Sequence, residues 1–140
     1  MSVMEILLPV FVQVVLTFAL LFRMGYLRVA TIRSGEVKIR DIALREPNWT
    51  PRTLQIANAF HNQLELPMLF YVLTILTLIT RQADIVFLAL AWIFVALRLA
   101  HAWIHVTSNR VRPRAVAFMA GGLVLAVMWL IFMLRVIWVH

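Results

Sequence analysis

Cysteine is absent from this 140-residue chain. That excludes disulfides, a thiol nucleophile of the chain's own and any cysteine-ligated metal. Charge is scarce as well: Asp, Glu, Lys and Arg make up 14% of the residues, against ~25% in an average soluble domain. Acids are scarcest, six against thirteen Lys and Arg, which leaves a net charge of +7. No internal repeat and no low-complexity segment interrupts the chain. What fills it is apolar. Hydrophobic residues reach 64%, well above the ~45–50% of ordinary domains. A water-soluble fold of this length cannot hide that much apolar surface, and a disordered chain would not carry it. The length suits one domain, residues 1–140. Together these bounds define an all-α integral membrane protein with several spans.

A spanning helix needs about 20 mostly apolar residues. Four stretches meet that length, at about 6–27, 54–80, 85–105 and 115–139, and predict a four-transmembrane-helix bundle. Pro9 falls near the expected start of the first span, where its missing N–H costs little. That span begins at the acidic Glu5, has a long apolar run and no small-residue cleavage site after it, so it is expected to be retained and not removed as a signal peptide. Pro67 is expected to kink the second span. Gly121 and Gly122 in the fourth are expected to allow close helix approach. Arg23 and Arg135 near span ends are expected to snorkel, and most Trp and Tyr residues to anchor at the interface.

The positive balance does not indicate nucleic acid. The basic residues gather in two connections. The first, 28–52, carries Arg28, Arg33, Lys38, Arg40, Arg45 and Arg52 against Glu36, Asp41 and Glu46. The third carries Arg110, Arg112 and Arg114 with no acid. The second is a tight turn, Arg81-Gln82-Ala83-Asp84. Lys and Arg mark cytoplasmic loops, which places both termini on the non-cytoplasmic side. The short chain and lean loops point to a bacterial inner membrane, with the endoplasmic reticulum as the alternative.

Polar residues inside spans are costly and usually face a bundle interior or a wet cavity. In the second span Asn58, His61, Asn62 and Glu65 stand at i, i+3, i+4 and i+7, one helical face. In the third, Arg98, His101 and His105 stand at i, i+3 and i+7. The economical arrangement pairs Glu65 with Arg98. Three readings compete for these stripes. They can be structural glue between helices. His101 and His105, at i and i+4, can share a metal with Glu65 or His61. Or Arg98, the third-connection arginines and helix donors can hold an anionic ligand at the cytoplasmic edge.

Three motifs, in order, carry a resemblance. One is Arg98-x-x-His101-x-x-x-His105 followed by Pro113-Arg114-Ala115-Val-Ala-Phe118-Met-Ala-Gly121. Another is Asn62-x-x-Glu65. The last is Ser34-Gly35-Glu36-Val37-Lys38-Ile39-Arg40. From about Met24 to Gly122 the chain resembles the MAPEG family, membrane-associated proteins in eicosanoid and glutathione metabolism. It is most similar to the branch of microsomal glutathione transferase and microsomal prostaglandin E synthase. The resemblance implies a homotrimer with glutathione sites between subunits, open to the cytoplasm, and a lipophilic electrophile entering from the bilayer. It implies glutathione-dependent transferase or peroxidase chemistry. Arg114 matches the arginine that stabilises the glutathione thiolate. Asn62, Glu65, Arg98 and His101 match residues that line or support the pocket. His61 and His105 fall at pocket positions, Lys38 matches an arginine reaching in from a neighbour, and Arg110 matches a basic residue of the same connection.

The chain departs from the family in places. Asn58 and His61 stand where arginines occur, His105 replaces a tyrosine, and Pro67 follows the acid at i+2 in place of i+3. Ala115 and Phe118 replace a serine and a tyrosine of the prostaglandin synthase, and Ala115 agrees with the glutathione transferases. The alternative reading is therefore a non-catalytic scaffold that binds a lipid or another anion. A histidine-based metal site stands third.

Overall fold

A computed structural model describes residues 1–44 and 47–139, so Arg45 and Glu46 of the first connection lie outside the described residues. The chain is all helical there. Helix α1 runs Val3–Arg33, α2 Pro51–Asn62, α3 Leu66–Ile79, α4 Ile85–Val106 and α5 Val111–Val139, with a short 3₁₀ turn at Ile39–Ile42. Four units are long and apolar enough to cross a membrane: α1, α2 with α3, α4, and α5. They alternate in direction. One end of the bundle therefore carries the α1–α2 and α4–α5 connections, rich in Lys and Arg, and we refer to it as the basic end.

Local chemistry explains the helix limits. Ser2 and Glu5 form a capping box, Ser2 N–H donating to Glu5 at 2.7 Å and Glu5 N–H to Ser2 Oγ at 3.2 Å. The cap starts α1 at Val3, so Pro9 lies inside the helix, in its second turn, where it is buried. Asp84 caps α4 by accepting the Phe87 N–H at 2.8 Å. Arg81 and Asn109 close the turns after α3 and α4 with φ of 55° and 51°, the left-handed conformation common just past helix ends.

The second span is not one kinked helix. It breaks at residues 63–65 and resumes at Leu66. Proline explains the site of the break. Pro67 has no N–H to give to Gln63, four residues back, and its ring excludes that carbonyl. The irregularity thus falls ahead of the proline.

Apolar and polar groups are sorted in the manner of a membrane bundle. Large apolar side chains such as Phe22, Ile79, Ile85 and Val116 cover the outside. Near the end opposite the basic connections, Phe70, Leu73, Phe87, Phe94, Leu125 and Met128 form the main core, with the Phe70 and Phe94 rings 4.8 Å apart. Toward the basic end α1 packs on α2 and α4 through Leu20, Met24, Ile56, Ala59 and Ala102. Buried between these clusters are Gln13, Gln63 and Arg98. Helix α5 comes close to α4 at Gly121, where a methyl group would sit 3.9 Å from the Arg98 and Leu97 side chains. That is ordinary contact, so close approach there does not demand a glycine.

Candidate functional site

Arg98 is fully buried, 0% exposed. A charge so placed needs partners, and the break in the second span supplies them. The turn at residues 63–65 leaves the carbonyl of Asn62, the last residue of α2, with only a long 3.4 Å bond from the Glu65 N–H. Arg98 Nη2 donates to that carbonyl at 3.1 Å, to the Asn62 side-chain oxygen, and to Gln63 Oε1 at 3.4 Å. Gln63 Oε1 also accepts from Gln13 Nε2 at 2.9 Å, and Gln63 Nε2 donates to the Ala59 carbonyl at 3.1 Å. One network therefore joins α1, the break and α4.

The expected Glu65–Arg98 pair is not formed. Among the described residues the ion pairs are Arg40–Asp41 and Arg135–Asp84. Glu65 stands at the N-cap of α3 with its side chain exposed, where the helix dipole favours a carboxylate. The break also divides the polar stripe of the second span. Asn58 and His61 are exposed, and the His61 ring lies against Phe60, 5.5 Å between centroids.

Beside Arg98 a cleft of about 270 Å³ opens, lined by Asn62, Glu65, His101, Arg114, Ala115 and Phe118, among others. Its walls are the break, α4 and the first turns of α5. The Arg114 guanidinium donates to the Asn109 side-chain oxygen. Asn109 was not among the expected residues. It holds Arg114 from the turn after α4, and its left-handed φ is the signal that such a turn favours Asn. His101 is buried, with its ring 5.8 Å from Phe118 and 5.5 Å from the nearly perpendicular His105 ring. The Nδ1 atoms of both histidines are buried without a hydrogen-bond partner, as are Nε and Nη1 of Arg98.

The cleft thus collects Asn62, Glu65, His101 and Arg114. Arg98 and His105 stand behind it. Lys38, His61 and Arg110 are exposed and not on its lining. Among the described residues no group of three His, Asp or Glu side chains is placed to hold a metal, so the paired histidines lack the further ligand that the metal reading needs.

Gln55 of α2 was not among the expected residues, and Arg52, expected in the first connection, lies at the start of α2. Gln55 Nε2 donates to the carbonyls of His105 at 2.7 Å and Thr107 at 3.3 Å, and Arg52 Nη1 donates to that of Val106 at 2.6 Å. Helix ends leave such carbonyls unpaired. The first turn of α2 satisfies them, and so fixes the α4 terminus that carries the histidines.

Fold and site together define a four-span helical membrane protein with an arginine-bearing polar cleft between its second, third and fourth spans. The sequence model of the MAPEG family matches residues 6–134, and the chain belongs to that family. No curated protein and no solved structure matches it.

Proposed function

We propose that the protein uses glutathione as substrate for transferase or peroxidase chemistry on lipophilic electrophiles, as in the microsomal glutathione transferase and prostaglandin E synthase branch. One observation carries the reading: Asn62, Glu65, His101 and Arg114 converge on one cleft. The donor set suits the ligand. Glutathione is a net anion with two carboxylates and one ammonium. Arg114 and Glu65 offer both signs of charge, and the unpartnered Nδ1 of His101 is buried behind the opening. Glutathione brings a thiol, which attacks only as the thiolate and ionises near ~8.5 when free. A guanidinium held beside the sulfur favours the charged form. Arg114, fixed by Asn109, is the group for that task.

The cleft is open on one side, and Lys38 does not line it. A neighbouring subunit would close that side and bring Lys38 to a glutathione carboxylate, with Arg110 at the rim. The homotrimer rests on the family resemblance, and the Lys and Arg of the basic end favour placing that end toward the cytoplasm of a bacterial inner membrane. A non-catalytic scaffold is the second reading. Asn58 and His105, where the family has arginine and tyrosine, favour it.

Titration of the detergent-purified protein with glutathione, followed by ultraviolet thiolate absorbance at neutral pH, tests the proposal. Saturable thiolate formation is expected, with a loss of at least tenfold in Arg114→Ala. Absorbance unchanged by Arg114→Ala removes the catalytic assignment. No binding at millimolar glutathione moves the chain to the scaffold reading.

A further inference from the structure

Away from the cleft, an apolar groove of about 430 Å³ runs between α1 and α4, lined by Leu16, Leu20, Leu99, Trp103 and Val106 among others. The two helices run in the same direction, so the groove leads toward the basic end. Its mouth there is cationic. Arg23 follows Leu20 by three residues, on the same face and one turn nearer that end. On the other wall Val106 closes α4, and its carbonyl accepts from Arg52 Nη1 at 2.6 Å. Both arginines are exposed, and neither forms an ion pair among the described residues. Arg23 lies over the Tyr26 ring, 5.6 Å from its centroid. Trp103, 70% exposed, has the amphipathic character of a residue at the headgroup boundary.

In a bilayer the apolar lining alone selects nothing, because an acyl chain is equally at home among other acyl chains. Selection must come from the charged mouth. Guanidinium groups match the oxygens of a phosphodiester. A zwitterionic lipid adds its own ammonium, which two arginines repel. A second copy of the chain fits the charge less well. Each copy carries six acids against thirteen Lys and Arg. Among the described ones Glu5 lies at the opposite end, Asp41 and Asp84 already pair with arginines, Glu65 lines the polar cleft, and Glu36 alone is left at the basic end.

The geometry points to a binding site for one anionic phospholipid, its phosphodiester held by Arg23 and Arg52 and one acyl chain laid along the α1–α4 groove beside Trp103. The site is separate from the polar cleft and stands whether or not glutathione binds there.

Native mass spectrometry of the full-length protein, loaded with phosphatidylglycerol or phosphatidylcholine of the same acyl chains, tests it. A basic residue near the headgroups contributes about fivefold, so wild type should retain phosphatidylglycerol roughly thirtyfold better. The double variant Arg23→Gln, Arg52→Gln should bring the two lipids to parity. The variant gives up the Arg52 bond to the Val106 carbonyl, so circular dichroism checks that the helices persist. Ala100 also lines the groove, and Ala100→Trp, which fills it, should cut retention of both lipids. Excess inorganic phosphate should leave the bound lipid in place. Equal retention by wild type, or selectivity kept by the double variant, overturns the site. So does displacement by phosphate, which would mean a free-anion site. An Ala100→Trp variant that keeps its lipid but changes its subunit number also overturns it, because the groove would then be a contact between copies.

Discussion

Arg98 shows how one residue organises the interior. Its charge is matched by no carboxylate within ion-pair distance among the described residues. It is held by the Asn62 carbonyl and side chain and by Gln63. Hydrogen bonds to a charged group are worth ~1.5–3 kcal/mol, and a buried donor left unpaired costs a similar amount. Asn62→Leu keeps the branched shape, at somewhat larger volume, and removes the side-chain acceptor. It should destabilise the protein by about 2 kcal/mol, read by thermal unfolding in detergent. Because Arg98 supplies the donor, Asn62→Leu combined with Arg98→Met should cost less than the sum of the two single changes. Strict additivity would mean that the bond contributes nothing. The polar stripe on the third span is plain from the spacing of Arg98, His101 and His105. Arg98's choice of partner is not, because it depends on a carbonyl that the broken helix leaves only weakly bonded.

At the scale of elements, the first turn of α2 caps the last turn of α4. Gln55 serves two carbonyls and Arg52 a third. Gln55→Ala removes two bonds at a helix end and should lower stability by about 1 kcal/mol. Gln55→Glu places an acceptor against acceptors and should cost at least as much. Hydrogen exchange should show faster exchange confined to the end of α4 in both variants. Protection there unchanged from wild type would show that water caps the helix equally well. The break between α2 and α3 belongs to the same scale. Pro67 announces an irregularity in the sequence, and the proline ring's effect on residue 63 places it one turn earlier than a simple kink.

For the whole molecule, the two ends are held differently. The basic end carries most of the charge. The opposite end is tied by Arg135, whose Nη2 donates to Asp84 at 2.6 Å and whose Nη1 donates to the Gln82 carbonyl at 3.3 Å. This clasp joins α5 to the α3–α4 turn. Arg135, expected only to snorkel, has a specific partner. Its hydrogen bond holds the Asp84 carboxyl below the ordinary value of 3.8, assisted by the Phe87 N–H and opposed by partial burial. A depressed carboxyl pKa contributes stability above its unfolded value and loses it as pH falls through the folded value. Wild type should therefore exceed Asp84→Asn in thermal stability at neutral pH, by the ~0–1 kcal/mol of a half-exposed pair. The two should converge below pH ~4. A difference that persists at low pH would assign the effect to something other than the ion pair.

What the sequence determined by itself is what rests on composition and period. A 64% hydrophobic chain with runs of about 20 apolar residues has to be a helical membrane bundle, since only helices and closed barrels satisfy the backbone in lipid. Motif order carried the MAPEG resemblance, and the family match agrees with it. Tertiary structure decided how the polar residues were shared out. It left Glu65 outside ion-pair distance of Arg98, brought Gln13 and Gln63 into the interior, set Asn109 against Arg114, and gathered Asn62, Glu65, His101 and Arg114 around one cleft. The reason is physical. Helical spacing fixes which residues share a face, but which buried donor meets which acceptor depends on where a helix breaks and how its neighbours pack against the break.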